Sequence, residues 1–156
     1  MINVNKPIFI AEVSSNHNRD LQRCLSFVDK AAEIGCDAVK FQLFKIEELF
    51  APEVLSQRAD LRKRKGWELP LEFIPKIAEH CGRRNILFSC TPFYLDAVEQ
   101  LLPYVDFYKV ASYELLWNDL LKLCAQTGKP VVLSTGMATM QEVNSAVEIL
   151  RTFRCE

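Results

Sequence analysis

Two lysines lie within apolar runs of strand character. Lys40 belongs to Ala38-Val39-Lys40-Phe41-Gln42-Leu43, and Lys109 to Phe107-Tyr108-Lys109-Val110-Ala111. Read with a period of two, the first run has one apolar face of Val39, Phe41 and Leu43 and places Lys40 and Gln42 on the other. Similar reading of the other apolar runs sets Glu12 with Ile8 and Ile10, Ser89 and Thr91 with Leu87, and Ser134 with Val132. In each run a polar residue lies toward the C-terminal end. A lysine is almost never buried unpaired, because removing a lone ammonium from water is expensive. Lys40 and Lys109 against the single carboxylate of Glu12 leave an excess positive charge. A bound phosphate or carboxylate would neutralise it, with the hydroxyls of Thr91, Ser112 and Ser134 as further donors. A second chemistry is open to the same residues. An amine beside another cation has a lowered pKa, so Lys40 or Lys109 is also a candidate Schiff-base nucleophile of an aldolase. A lysine that snorkels to solvent or finds another acid would need neither.

These groups must be carried by regular elements. Apolar runs at residues 7–13, 38–44, 86–90, 107–111 and 130–134 alternate with segments of helical periodicity. Leu21, Leu25, Val28 and Ala32 form one helical stripe, and Val143, Ala146, Val147 and Leu150 another. Thr139-Met140-Gln141-Glu142 reads as a capping box, and Gly35, Gly82 and Gly128 stand where helices should stop. Five βα units predict a parallel sheet. The connection over residues 45–69 is abnormally long and holds the basic run 58–67. Loops of that length are usually functional or disordered, and a solvated charged face is the simplest reading of this one. Length suits an open flavodoxin-like sheet, since a complete (β/α)8 barrel needs about 200 residues or more. Polar groups at the end of every strand favour the barrel, whose mouth collects them all. The fold class expected is therefore α/β, the first five units of a TIM (β/α)8-type barrel.

The chain has 156 residues, of which 49% are hydrophobic and 25% charged, with net charge −1. This composition excludes disordered and collagen classes and offers no general affinity for nucleic acid or a membrane surface. No apolar stretch approaches the roughly 18 residues of a spanning helix, and the N-terminus does not read as a signal peptide. The cysteines, Cys24, Cys36, Cys81, Cys90, Cys124 and Cys155, show no Cys-x-x-Cys pair. Cys24, Cys81, Cys90 and Cys124 lie in apolar patterns, so reduced core thiols in a cytoplasmic protein are expected and a zinc site is not.

The ordered motifs are familiar. Ile10-Ala11-Glu12-Val13-Ser14-Ser15-Asn16-His17-Asn18 resembles the opening of the N-acetylneuraminate (sialic acid) synthase family, which includes spore-coat polysaccharide proteins. Ala38-Val39-Lys40-Phe41-Gln42, Cys90-Thr91-Pro92-Phe93, Tyr108-Lys109-Val110-Ala111-Ser112 and Leu133-Ser134-Thr135-Gly136-Met137-Ala138-Thr139 continue its order. The resemblance implies condensation of phosphoenolpyruvate with an N-acylated hexosamine such as N-acetylmannosamine, giving a nine-carbon 2-keto acid and inorganic phosphate. It assigns phosphoenolpyruvate binding to Lys40, Thr91, Lys109, Ser112 and Ser134, and sugar contact with help in proton transfer to Glu12. Asn16 and Gln42 are further candidates for substrate binding, while scaffolding of the first βα loop is an equal alternative for Asn16 and His17.

The resemblance also implies a divalent metal, Mn2+ or Mg2+, polarising the sugar aldehyde. Its two histidine ligands would come from later strands than this chain contains, so no metal ligand is assigned here, and neither His17 nor His80 is taken as one. It further implies a homodimer in the complete protein, with an antifreeze-like domain following the barrel. Residues 1–156 would be the N-terminal portion of one barrel. Three departures stand out: Arg19 and Tyr113 where the family commonly has glycine, and Val13-Ser14 for its Ile-Gly. A partial barrel that binds an anion without catalysis is the competing expectation, and the unpaired edges of its first and fifth strands would make it prone to association.

Overall fold

The computed structural model describes residues 6–153. Within them the apolar runs form β1 (Ile10–Ser14), β2 (Ala38–Leu43), β3 (Leu87–Pro92), β4 (Phe107–Val110) and β5 (Val131–Leu133). All neighbours are parallel, in the order β1-β2-β3-β4-β5. That order decides between the two architectures. A flavodoxin-like sheet places its first strand between the second and third, whereas a barrel follows chain order. The chain forms five successive units of a (β/α)8-type barrel.

The major helices are α1 (Leu21–Glu33), α5 (Ile74–Arg83), α6 (Leu95–Leu101), α7 (Asn118–Gln126) and α8 (Met140–Thr152). They cover the apolar face of the sheet. Val39, Phe41, Phe88, Cys90, Tyr108 and Val110 share one buried cluster with Val28, Ile77, Leu101, Leu121 and Ala146 from the helices. The period-two assignment therefore holds: apolar residues face the helix layer, and Lys40 with its row faces the other way. Asp20 caps α1 by accepting from the Arg23 N–H, and Thr139 and Glu142 form the expected capping box on α8.

Several local expectations are corrected. The first strand begins at Ile10 rather than at residue 7. The buried stripe of α1 is Cys24, Val28 and Ala31, one position removed from Leu21, Leu25 and Ala32, which are only partly buried. Gly35 and Gly128 take left-handed turns after their helices, at φ +81° and +72°, but Gly82 lies inside α5. There Asn85, at φ +53°, makes the turn, a conformation asparagine tolerates better than most residues.

The long connection is ordered. It holds α2 (Ile46–Leu49), α3 (Pro52–Gln57), α4 (Ala59–Arg62) and a 3-10 turn over Lys63–Trp67. Phe44, Ile46, Leu55 and Leu61 give this excursion its own small apolar cluster. Its basic residues point outward, with Arg58 paired to Asp60 and Lys65 to Glu47, which is the solvated face anticipated. No described helix is long and apolar enough to cross a membrane. Cys24, Cys81, Cys90 and Cys124 are buried, and burial pushes the Cys24 thiol up to about 11 and that of Cys81 up to about 12. Such thiols are core residues rather than nucleophiles. Cys155 lies outside the described residues.

Sheet and helix layer are also tied by one buried polar contact. The hydroxyl of Tyr108, in β4, donates to the Val98 carbonyl of α6 at 2.7 Å. Tyr108→Phe is expected to cost about 0.5–1.5 kcal/mol, read as a lower midpoint in urea unfolding with an unchanged slope.

Candidate active site

The inward face of the sheet is built in rows. Glu12 pairs with Lys40 across β1 and β2, and Lys40 with Ser89 across β2 and β3. The Glu12 carboxylate forms an ion pair with Lys40 Nζ. Local backbone distortion completes its shell. The β1–β2 register shifts between Glu12 and Ser14, Ser14 takes φ +52°, and its N–H then donates to Glu12 Oε1 at 2.9 Å. Gln42 Nε2 reaches the same oxygen at 3.4 Å. Lys40 Nζ also lies 3.4 Å from Oγ1 of Thr91, whose side chain is buried.

Lys109 is held differently. Its Nζ donates to the Val110 carbonyl at 2.8 Å and to the Ser134 hydroxyl. Among the described residues no carboxylate comes within ion-pair distance of it. Burial, and then the charge of Lys40, push the Lys109 ammonium below its ordinary pKa, while Glu12 and Glu114 act against this. Ser112 opens a 3-10 turn, Ser112–Glu114, directly after β4. A Cβ added to Gly136 would lie 3.1 Å from Ser112 Oγ, so the turns that follow β4 and β5 meet at this pair. The structure thus brings Glu12, Lys40, Gln42 and Thr91 together, and joins Lys109 to Ser134.

Glu114 is a candidate site residue that sequence reasoning missed. It is 9% exposed, one carboxylate oxygen has no hydrogen-bond partner, and burial raises its pKa against the pull of Lys109. The available signal was its position as the first carboxylate after a strand that carries an inward lysine.

Asn16 and His17 both make contacts within the first βα loop. The Asn16 side-chain amide turns back to the Val13 carbonyl at 2.9 Å. His17 is fully buried, and its Nδ1 accepts the Arg19 N–H at 3.0 Å. His80, in α5, bonds Asp29 of α1 at 2.8 Å on the helix layer, away from the inward face. Among the described residues no three His, Cys, Asp or Glu side chains cluster as metal ligands. The residues present therefore do not by themselves fit the divalent ion that the resemblance implies.

The profile of the NeuB family matches residues 27–156. The chain belongs to the NeuB family. It is 34% identical to the N,N'-diacetyllegionaminic acid synthase of Campylobacter jejuni over 94% of this chain and 47% of that protein. It is 30% identical to the spore coat polysaccharide biosynthesis protein SpsE of Bacillus subtilis over 96% of this chain and 42% of that protein. The crystal structure of the N-acetylneuraminic acid synthetase of Leptospira borgpetersenii, in complex with citrate, superposes with a TM-score of 0.88 at 32% identity. That match covers 97% of this chain and 52% of the other. The chain thus spans about half the length of the NeuB-type proteins it matches.

His17 gives the NeuB loop a pH signature. Burial first, and then the charge of Arg19, hold its pKa below the usual 6.5, although a backbone contact from Trp67 opposes them. As pH falls below 6.5 the unfolded chain takes up this proton before the folded one does, so stability falls until the folded pKa is reached. The expected slope is at most about 1.4 kcal/mol per pH unit. Urea titrations between pH 7 and 5 should show it, and His17→Gln should flatten it.

Proposed function

We propose that this chain carries the phosphoenolpyruvate-binding part of a synthase that condenses phosphoenolpyruvate with an N-acylated hexosamine aldehyde of the N-acetylmannosamine type. The supporting observation is the charge imbalance on the inward face. Lys40 has its carboxylate in Glu12, whereas Lys109 is half-buried with only neutral acceptors. An anionic group of the substrate supplies what Lys109 lacks. In this reading Lys40 and Thr91, with Lys109, Ser134 and Ser112, hold its phosphate and carboxylate.

The reaction balances with water as the only further reactant. C3 of the enol attacks the aldehyde carbon, water adds at C2, and the C2–O bond breaks in the tetrahedral adduct to release inorganic phosphate. Glu12 lies on the same inward face, with Ser14 and Gln42 fixing its carboxylate, and is the group assigned to proton transfer on the sugar side. Residues 1–156 then form the N-terminal portion of one barrel, whose remaining units bring the metal ligands. The complete protein would be a cytoplasmic homodimer.

The depressed Lys109 amine also suits a second reading, a Schiff-base aldolase. Its donated bonds to Val110 and Ser134 favour the ammonium form and hence the first reading. Calorimetric titration should show phosphoenolpyruvate binding to the chain, weakened about tenfold or more by Lys109→Met, as expected for a lost charged hydrogen bond. The polypeptide extended by the remaining barrel units should release phosphate when given phosphoenolpyruvate, Mn2+ and N-acetylmannosamine or a related aldehyde. No release with any hexosamine overturns the synthase. A borohydride-trapped pyruvate adduct on Lys40 or Lys109 establishes the aldolase instead.

A further inference from the structure

The two site lysines arrive by the same local device, used twice. Asp37-Ala38-Val39-Lys40 and Asp106-Phe107-Tyr108-Lys109 share the spacing Asp-x-x-Lys, with the aspartate immediately before its strand. Each aspartate grips a phenylalanine of the preceding strand segment by two bonds. The Asp37 N–H donates to the Phe9 carbonyl at 2.8 Å, and its Oδ2 accepts the Phe9 N–H at 2.9 Å. The Asp106 N–H donates to the Phe88 carbonyl at 2.8 Å, and its Oδ2 accepts the Phe88 N–H at 2.7 Å. Three residues beyond the phenylalanines stand Glu12 and Thr91, and three beyond the aspartates stand Lys40 and Lys109. Both clamps thus lie at the N-terminal edge of the sheet, the same distance below a lysine.

Neither clamp lies on the longest ladder, although β4–β5, with three registered positions, has no clamp of this kind. The β2–β3 pair has six registered positions, whereas β3–β4 has two and β1–β2 has four with an irregularity. A one-residue slip in a strand turns every side chain to the opposite face, and here it would carry a lysine into the helix layer. We propose that Asp37 and Asp106 are positioning residues of the anion site, pinning the registers that bring Lys40 to Glu12 and Thr91 and Lys109 to Ser134. This builds on the anion-binding reading of the two lysines.

The test reads Lys109 itself. Its ammonium faces Lys40 from β2, Glu12 from β1 and Glu114 from the turn after β4. Loss of a carboxylate's charge alone would lower a lysine pKa. If Asp106 positions Lys109, Asp106→Ala instead lets the ammonium reach water and raises its titration midpoint by about half a unit or more, followed by NMR of lysine labelled at Cε. Asp106→Asn retains an oxygen that can accept the Phe88 N–H, and should keep the midpoint at or below the parent value. Asp29→Ala, which removes the partner of His80 and Arg84 between α1 and α5, should lower thermal stability and leave the Lys109 midpoint in place. If the alanine variant does not fold, Asp106→Glu, longer by one methylene, should give the same upward shift. A folded Asp106→Ala or Asp106→Glu protein whose Lys109 titrates as in the parent overturns the proposal. Failure of the parent chain to bind phosphoenolpyruvate would remove the proposed substrate, while the Lys109 titration would still report on the clamp.

Discussion

Keeping the Lys109 ammonium half-buried beside a second ammonium is the constraint around which the inward face is arranged. Lys40 can be neutralised within the chain, because the row that carries it also carries Glu12. Lys109 has only a carbonyl and a hydroxyl, and like-charge repulsion from Lys40 adds to the cost of burial. Two elements limit that cost. Glu12 opposes it electrostatically, and so does Glu114 from the turn after β4, itself disfavoured as a carboxylate by its burial. An unliganded site of this kind is destabilised in proportion to the charge it cannot match. An anion bound as proposed would relieve that imbalance rather than merely add contacts.

The outer face accounts for how the fold tolerates such a row. Phe41 and Phe88 meet edge to face with ring centroids 6.1 Å apart, and Tyr108 reaches into the same layer to bond Val98. Apolar burial of this kind is worth about 25 cal/mol per Å² and fixes which face each strand turns inward. Polar residues on the alternate positions follow from that choice. In the positioning role proposed above, the Asp37 and Asp106 clamps hold the strand register on which that choice of face depends.

Much of this arrangement was legible in the residues, because period-two alternation is a direct consequence of backbone geometry. It located all five strands to within about three residues at each end, put Lys40 and Lys109 on the face away from the helices, and together with the motifs favoured a barrel that the strand order then established. Three features were illegible for identifiable reasons. Gly82 has the composition of a helix stop, yet the turn falls to Asn85, a choice made by backbone context. The cluster of Phe44, Ile46, Leu55 and Leu61 has no period, since it is assembled from several short helices. The burial of Glu114 beneath a turn was illegible as well, although its place as the first carboxylate after β4 was a signal. Conversely, Asn16 lies within a family motif, but its side chain serves the backbone of its own loop.

Arg19 shows how a departure from the family pattern can be accommodated. It takes φ +55°, a conformation natural to the glycine common there and worth roughly 1–2 kcal/mol against other residues. Its guanidinium offsets this by donating to the carbonyls of Lys65 and Glu68 at 3.2 and 3.4 Å, and its own N–H satisfies His17 Nδ1. Hydrogen bonds from a charged donor contribute about 1.5–3 kcal/mol when protected from water, and less for a side chain as exposed as this one. The two sides are therefore of similar size, and stability alone does not decide the substitution. What changes is connectivity. Beside the contact of His17 with the Trp67 backbone, Arg19 adds a second tie between the first βα loop and the excursion between β2 and β3, whose start Glu68 in turn fixes by accepting the Ile46 N–H at 2.8 Å. The loop that supplies Ser14 to Glu12 and the segment that follows Gln42 are thus held as one unit at the C-terminal mouth of the sheet.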